Sequence, residues 1–132
     1  LVDHATRLCI NDHSCVNASA QYAGLAALTG PRDDINKMFS AFNDRRKIIV
    51  SKLNKIPGFR CANSAGAFYA FPNIEETGLT SRNAQDRFLN EAGVAAIAGT
   101  SFGNSGEGFI RFSYANSIEN IEEALFRIEN IL

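Results

Sequence analysis

The first third of the chain has the composition and spacing of helices. From about 17 to 28, alanine and glutamine favour a helix, and Gly30-Pro31 is a typical stop signal. Before this helix, residues 1–10 are apolar in part but show no clear period. The polar stretch 11–14 is predicted to be a loop.

A longer helix is predicted next, within 31–56. Asp33 or Asp34 is placed to cap it, and Pro57-Gly58 to close it. Apolar residues recur at three- and four-residue intervals along one stripe, opposite polar residues, and the length of the helix suits a connection between two bodies. The stripe comprises Ile35, Met38, Phe39, Phe42, Ile49 and Leu53.

The second half alternates between short apolar runs and two further helical patterns. We predict helices over 80–92, with Ala84, Phe88 and Leu89 inward, and after Asn116, with Glu119 as its capping-box partner. The last helix has a stripe of Ile118, Ile121, Leu125 and Ile128. The candidate strands are 59–62, 67–71, 94–97 and 109–114. Together these elements predict an α+β fold, a small mostly antiparallel sheet with helices on one side.

Composition narrows the class of protein. The chain has 132 residues, 45% of them apolar, which suffices for a domain with its own core. A net charge of −1 gives no bulk attraction to nucleic acid or anionic membranes, and no apolar run is long enough to cross a bilayer. The odd, widely spaced cysteines favour free thiols in a reducing, cytoplasmic setting. Because the chain begins at Leu1, we expect a C-terminal piece of something larger.

Two local patterns are weak evidence for a functional site. The glycine-rich loop 99–106 could cradle phosphate, but it leads into a strand and lacks the Gly-Lys-Ser/Thr ending, so a flexible surface connection is favoured. His4, Cys9, His13 and Cys15 cluster in sequence, but their spacing fits no usual zinc pattern, and we predict no metal site.

Arg111 is the main candidate for chemistry. In the strand 109–114, Ile110, Phe112 and Tyr114 should point to one face, and Arg111 to the other, mixed face. A permanently charged guanidinium on a half-buried strand needs an anion. That anion is either a carboxylate of the protein, which makes Arg111 structural, or one carried by a ligand.

Four motifs follow one another in the second half: GAFYAFP at 66–72, EAGV at 91–94, GTSFG at 99–103 and GFIRFSYA at 108–115. In this order and spacing they resemble the C-terminal domain of class I aminotransferases, the pyridoxal-phosphate enzymes similar to aspartate aminotransferase. The segment QYAGLAAL at 21–28 is similar to the family's helix that follows the cofactor lysine. Ala98 departs from the proline that many relatives have before the glycine loop.

The resemblance implies a role for three residues. Arg111 matches the family's arginine that holds the substrate α-carboxylate, and Gly66 and Phe68 match positions near the substrate. The resemblance implies the cofactor pyridoxal 5′-phosphate, whose Schiff-base lysine would lie upstream of Leu1. The lysine at 52 partly mimics the lysine signature, but it ends a helix at the wrong interval from the other motifs. No catalytic residue is therefore expected in this chain, which alone should be inactive.

The resemblance also implies an organisation: 1–30 as the end of the large domain, 31–56 as a connecting helix and 57–132 as the small domain. The whole enzyme would be a homodimer that moves an amino group from an L-amino acid, with aspartate suggested by overall similarity, to a 2-oxo acid. Two alternatives stay open. One is a pyridoxal-phosphate lyase or synthase of the same fold, and the other is a binding module without chemistry.

Overall fold

The computed structural model describes all residues from Leu1 to Leu132, in two compact units. The first unit, Leu1–Asn36, contains helices α1 (Val2–His13) and α2 (Ala18–Thr29) and the first turn of α3 (Asp33–Leu53). The second, Lys37–Leu132, contains the rest of α3, β1 (Tyr69–Ala70), α4 (Ser81–Ala92), β2 (Ile97–Ala98), β3 (Ile110–Ser113) and α5 (Ile118–Ile131). None of the helices combines the length and apolarity that crossing a membrane requires.

The sheet has three antiparallel strands in the order β1-β3-β2. One face of the sheet carries Ile110 and Phe112, which are buried with the inward residues of α3, α4 and α5 in a single core. Phe88 of α4 stacks on Phe112, with ring centroids 6.3 Å apart. The α+β fold predicted from the sequence is therefore confirmed, and the helices cover one face of the sheet only.

The helix predictions hold with local corrections. The predicted loop 11–14 is wrong in part because α1 continues to His13, where the Asn11 side chain donates to the Arg7 carbonyl at 2.7 Å. Leu89 is exposed, not inward, because the buried residues of α4 recur every three or four positions and Leu89 lies one residue off that stripe. The cap of α5 is Ser117, whose hydroxyl accepts from the Asn120 N–H at 3.2 Å, and not Asn116.

The long helix forms as predicted, and its apolar stripe is buried only at its C-terminal end. Only Ile49 and Leu53 are buried, whereas Ile35, Met38 and Phe39 in the N-terminal half are exposed. The helix ends at Leu53, where the Asn54 side chain takes over its capping: Nδ2 donates to the Val50 carbonyl at 3.0 Å.

The strands are shorter than predicted for identifiable reasons. At 59–62 only a single bridge forms, between Arg60 and Asn73, because the Cys61 backbone is hydrogen-bonded to the Asn54 side chain instead of to a strand. β1 begins only at Tyr69, since Ala67 has a left-handed backbone with φ +59°. β2 is displaced from the predicted 94–97 to Ile97–Ala98.

Candidate functional site

Arg111 lies in the middle of β3, the central strand of the sheet. Its backbone pairs with Ile97 of β2, and its neighbours Ile110 and Phe112 point into the core. Because side chains alternate along a strand, Arg111 is on the face opposite to the core that α3, α4 and α5 form with the sheet. The sequence prediction of its face is confirmed.

The guanidinium of Arg111 has no carboxylate partner. It forms neither an ion pair nor a hydrogen bond within the chain, although it is only half-exposed. Four other arginines of the second unit, Arg60, Arg82, Arg87 and Arg127, each pair with a glutamate or aspartate. Within this chain, Arg111 therefore serves no internal ion pair.

Aromatic rings surround the guanidinium instead. Its central carbon lies 4.3 Å from the ring centroid of Tyr69 and 4.4 Å from that of Phe102. Such distances are well within the range of cation–π attraction. Phe102 in turn makes a T-shaped contact with Phe71, with centroids 6.2 Å apart, and Phe71 stacks on Phe109 at 5.3 Å. The open face of the sheet thus presents one cation within an aromatic surface.

The loop that carries Phe102 is closed by backbone contact. It forms two short 3₁₀ turns, Gly99–Phe102 and Asn104–Gly106. A Cβ at Gly106 would lie 2.0 Å from the carbonyl oxygen of Gly99, so only glycine allows the two ends to meet. The prediction of a flexible connection missed this closure, which the glycines at 99 and 106 could have signalled.

Helix α4 anchors the same loop. Ser81, fully buried, donates from Oγ to the Gly106 carbonyl and accepts from the Phe109 N–H, both at 3.2 Å. Gln85 Oε1 accepts from the Ala98 N–H at 2.8 Å, just before the loop. The position of Phe102 beside Arg111 is therefore fixed from both ends of the loop. Nothing in the local sequence of α4 identified these two residues.

The predicted substrate residues Gly66 and Phe68 lie in the loop before β1. Gly66 is exposed, with no atom within 4 Å of the position a Cβ would take. Phe68 contacts the Tyr69 ring, with centroids 4.5 Å apart, and so lies one ring away from the guanidinium. The chain brings Phe68 close to Arg111 through Tyr69, and it supplies no neighbour for Gly66.

Tyr114 holds this loop to the arginine strand. Its side chain is 1% exposed, and its hydroxyl donates to the carbonyl of Ala67 at 2.8 Å. Its backbone N–H donates to the carbonyl of Phe68 at 2.9 Å. Two hydrogen bonds thus fix the segment in which Ala67 takes its left-handed conformation. The sequence predicted Tyr114 only as an inward-facing strand residue.

Three other features of the second unit do not involve the Arg111 side chain. Lys52, at the end of α3, pairs with Glu122 of α5 at 3.1 Å. Burial raises the pKa of the Cys61 thiol, against a smaller lowering by a hydrogen bond to the Phe71 backbone. A cavity of about 350 Å³ lined by residues including Ile49, Phe112, Asn120 and Leu125 does not include Arg111. The cavity reaches the arginine strand through Phe112 and Ser113.

Comparison with known proteins gives the class to which this chain belongs. The chain matches no family profile. Aspartate aminotransferase of Pyrococcus horikoshii is 42% identical over 119 residues, covering 89% of this chain and 30% of that protein. Aromatic-amino-acid aminotransferase 2 of Thermococcus litoralis is 34% identical over 134 residues, covering 100% of this chain and 34% of that protein.

Solved structures agree with the sequence relatives. An aromatic aminotransferase from Pyrococcus horikoshii superposes with a TM-score of 0.89 at 38% identity, over 96% of this chain and 34% of that chain. An alanine aminotransferase from Pyrococcus furiosus superposes with a TM-score of 0.90 at 35% identity, over 98% of this chain and 33% of that chain. The chain is homologous to aminotransferases. It is a segment of the class I type, that of the aspartate and aromatic aminotransferases, and it spans about a third of the length of these relatives.

Proposed function

We propose that this chain supplies the substrate-carboxylate arginine, Arg111, of a pyridoxal-phosphate-dependent aminotransferase. The observation that supports it is a guanidinium on an open sheet face, held by aromatic rings and without an internal anion. A guanidinium offers parallel N–H donors that match both oxygens of a carboxylate, so it fixes orientation as well as charge. The α-carboxylate is the group that aspartate, alanine and the aromatic amino acids share.

The identity of the substrate side chain depends on residues outside this chain. The open face of the three strands carries Tyr69, Ile97, Arg111 and Ser113. Arg111 is the one charged side chain of these four. A second carboxylate, as in aspartate, would therefore need a cation from another part of the enzyme. We propose an L-amino acid as donor and a 2-oxo acid as acceptor.

The cofactor would be held mainly elsewhere. When bound, pyridoxal phosphate supplies an electron sink that stabilises negative charge at the substrate Cα. Its aldehyde requires a lysine, and the four lysines of this chain, at 37, 47, 52 and 55, lie on α3 or in the turn after it, not on the strands. The residues present do not form a cofactor site by themselves. What Arg111 does is orient the substrate so that the Cα–H bond stands in the reactive direction.

We propose the division into the end of a large domain (1–30), a connecting helix (31–56) and a small domain (57–132) for the whole enzyme. Apolar side chains on α1, α2 and the first half of α3 are exposed, among them Leu8, Tyr22 and Phe39. The relatives are about three times as long as this chain, and we propose that the additional part of the whole enzyme covers these side chains. A homodimer of the whole enzyme belongs to the same proposal.

The test is the Arg111→Lys variant of the intact enzyme that contains this chain. Lysine keeps the charge but replaces the two parallel N–H donors of the guanidinium by a single ammonium group. The value of kcat/KM for the amino acid should therefore fall about 10- to 100-fold, which corresponds to the loss of one charged hydrogen bond. The cofactor should stay bound, as measured by its visible absorbance. Arg82→Lys, on the exposed face of α4, is the matched control. Equal kcat/KM in both variants would refute the proposal.

A further inference from the structure

The Arg111 guanidinium contacts two rings that come from different elements. Tyr69 belongs to β1, and Phe102 to the 3₁₀ turn after β2. The two rings make no contact with each other, and each lies within 4.4 Å of the guanidinium carbon. Two separate rings therefore contact the same guanidinium.

We propose that Tyr69 and Phe102 are positioning residues for substrate binding, which set the plane of the Arg111 guanidinium and keep its N–H edge available. This inference rests on the proposed function, since it concerns the same carboxylate. All N–H donors of a guanidinium lie in its plane, and an arginine that stacks on aromatic rings leaves those donors free. Such rings hold the cation without using the donors that a carboxylate needs.

A carboxylate of the protein would hold the arginine differently. It would occupy the in-plane donors and neutralise the charge, as in the Arg127–Glu123 pair, where Nε and Oε1 are 2.7 Å apart. An incoming substrate would then have to displace that partner. The rings of Tyr69 and Phe102 do not compete with the substrate in this way. They also restrict the rotamers of the long Arg111 side chain before the substrate binds.

Both rings are themselves supported. The Tyr69 ring contacts the ring of Phe68, and the Phe102 ring makes a T-shaped contact with Phe71. Phe68, which the resemblance places near the substrate, therefore acts through Tyr69 in this arrangement. The closure of the loop at Gly99 and Gly106 fixes the distance between Phe102 and the arginine strand.

The experiment compares ring-removing with ring-retaining variants in the intact holoenzyme. Tyr69→Leu and Phe102→Leu should each raise KM for the amino acid about three- to tenfold, with kcat changed less than about twofold. Tyr69→Phe and Phe102→Tyr, which keep a ring, should stay within about twofold of the parent. Phe126→Leu, an exposed phenylalanine on α5, controls for the loss of any surface ring.

A second measurement separates positioning from folding. In an Arg111→Lys background, the leucine substitutions should raise KM further by less than about twofold, because the planar cation they position is gone. Full additivity of the two effects would overturn the inference, and so would an unchanged KM in the single leucine variants. If instead Arg111→Lys alone leaves KM and kcat unchanged, the proposed function fails. Thermal unfolding of each variant reports whether a KM change reflects loss of the fold.

Discussion

Removing the Tyr114 hydroxyl should destabilise the second unit by about 1 kcal/mol. In Tyr114→Phe the buried ring remains, and the one lost interaction is the 2.8 Å hydrogen bond to the Ala67 carbonyl. A net hydrogen bond contributes about 0.5–1.5 kcal/mol, and the upper range applies when the abandoned partner stays buried. Ala67 is exposed, so water can replace the hydroxyl at its carbonyl, which sets the expectation near the middle of that range.

Urea unfolding of the chain, followed by far-ultraviolet circular dichroism, measures this effect. The midpoint should fall with the slope m unchanged, and Tm should drop by about 4–8 °C for each kcal/mol in a domain of this size. Tyr22→Phe is the matched control, because the Tyr22 side chain is 74% exposed and its hydroxyl makes no hydrogen bond. If the two variants unfold at the same urea concentration, the hydroxyl does not hold the loop, and the reasoning is refuted.

Three further predictions concern the stability of the second unit. Ser81→Ala removes two hydrogen bonds at the end of the Phe102 loop and should cost about 1–3 kcal/mol in urea unfolding; a neutral result would contradict its anchoring role. Gly106→Ala forces backbone apart and should cost about 1–3 kcal/mol or more, whereas Gly66→Ala, with open space around it, should change stability by less than 0.5 kcal/mol in the same assay. The pKa of the Cys61 thiol is raised by burial, so its contribution to stability is full below the ordinary thiol pKa and is lost as pH rises through the folded-state value. Cys61→Ala should flatten the alkaline fall in the free energy of unfolding; an unchanged pH profile would contradict this.

Local signals in the sequence predicted those parts of the fold that local physics decides. Helix α4 begins after Thr80, whose hydroxyl accepts from the Asn83 N–H, and ends at Gly93 in a left-handed conformation. Both features follow from residue types that favour caps. The face of Arg111 followed equally well from strand alternation alone.

Contacts between distant residues decided what the sequence could not show. The Asn54 side chain forms hydrogen bonds with the backbone N–H and carbonyl of Cys61. These bonds prevent the predicted strand at 59–62. Tyr69 and Phe102 are 33 positions apart, and no periodicity indicates that both contact Arg111. The absence of an ion pair at Arg111 is also a property of the folded chain, because the sequence holds 14 acidic residues that could have provided one.

The choice of aromatic rings in place of an internal carboxylate has a consequence for affinity. A half-exposed guanidinium keeps part of its hydration, so holding it unpaired costs far less than burying an isolated charge. Cation–π attraction of about 0.5–2 kcal/mol offsets part of the remaining cost and acts whether or not an anion is bound. The rings therefore lower the free energy of the free and the bound states together. In the function proposed for Arg111, the gain on binding a carboxylate would come from its in-plane hydrogen bonds, whose geometry Tyr69 and Phe102 would set in advance.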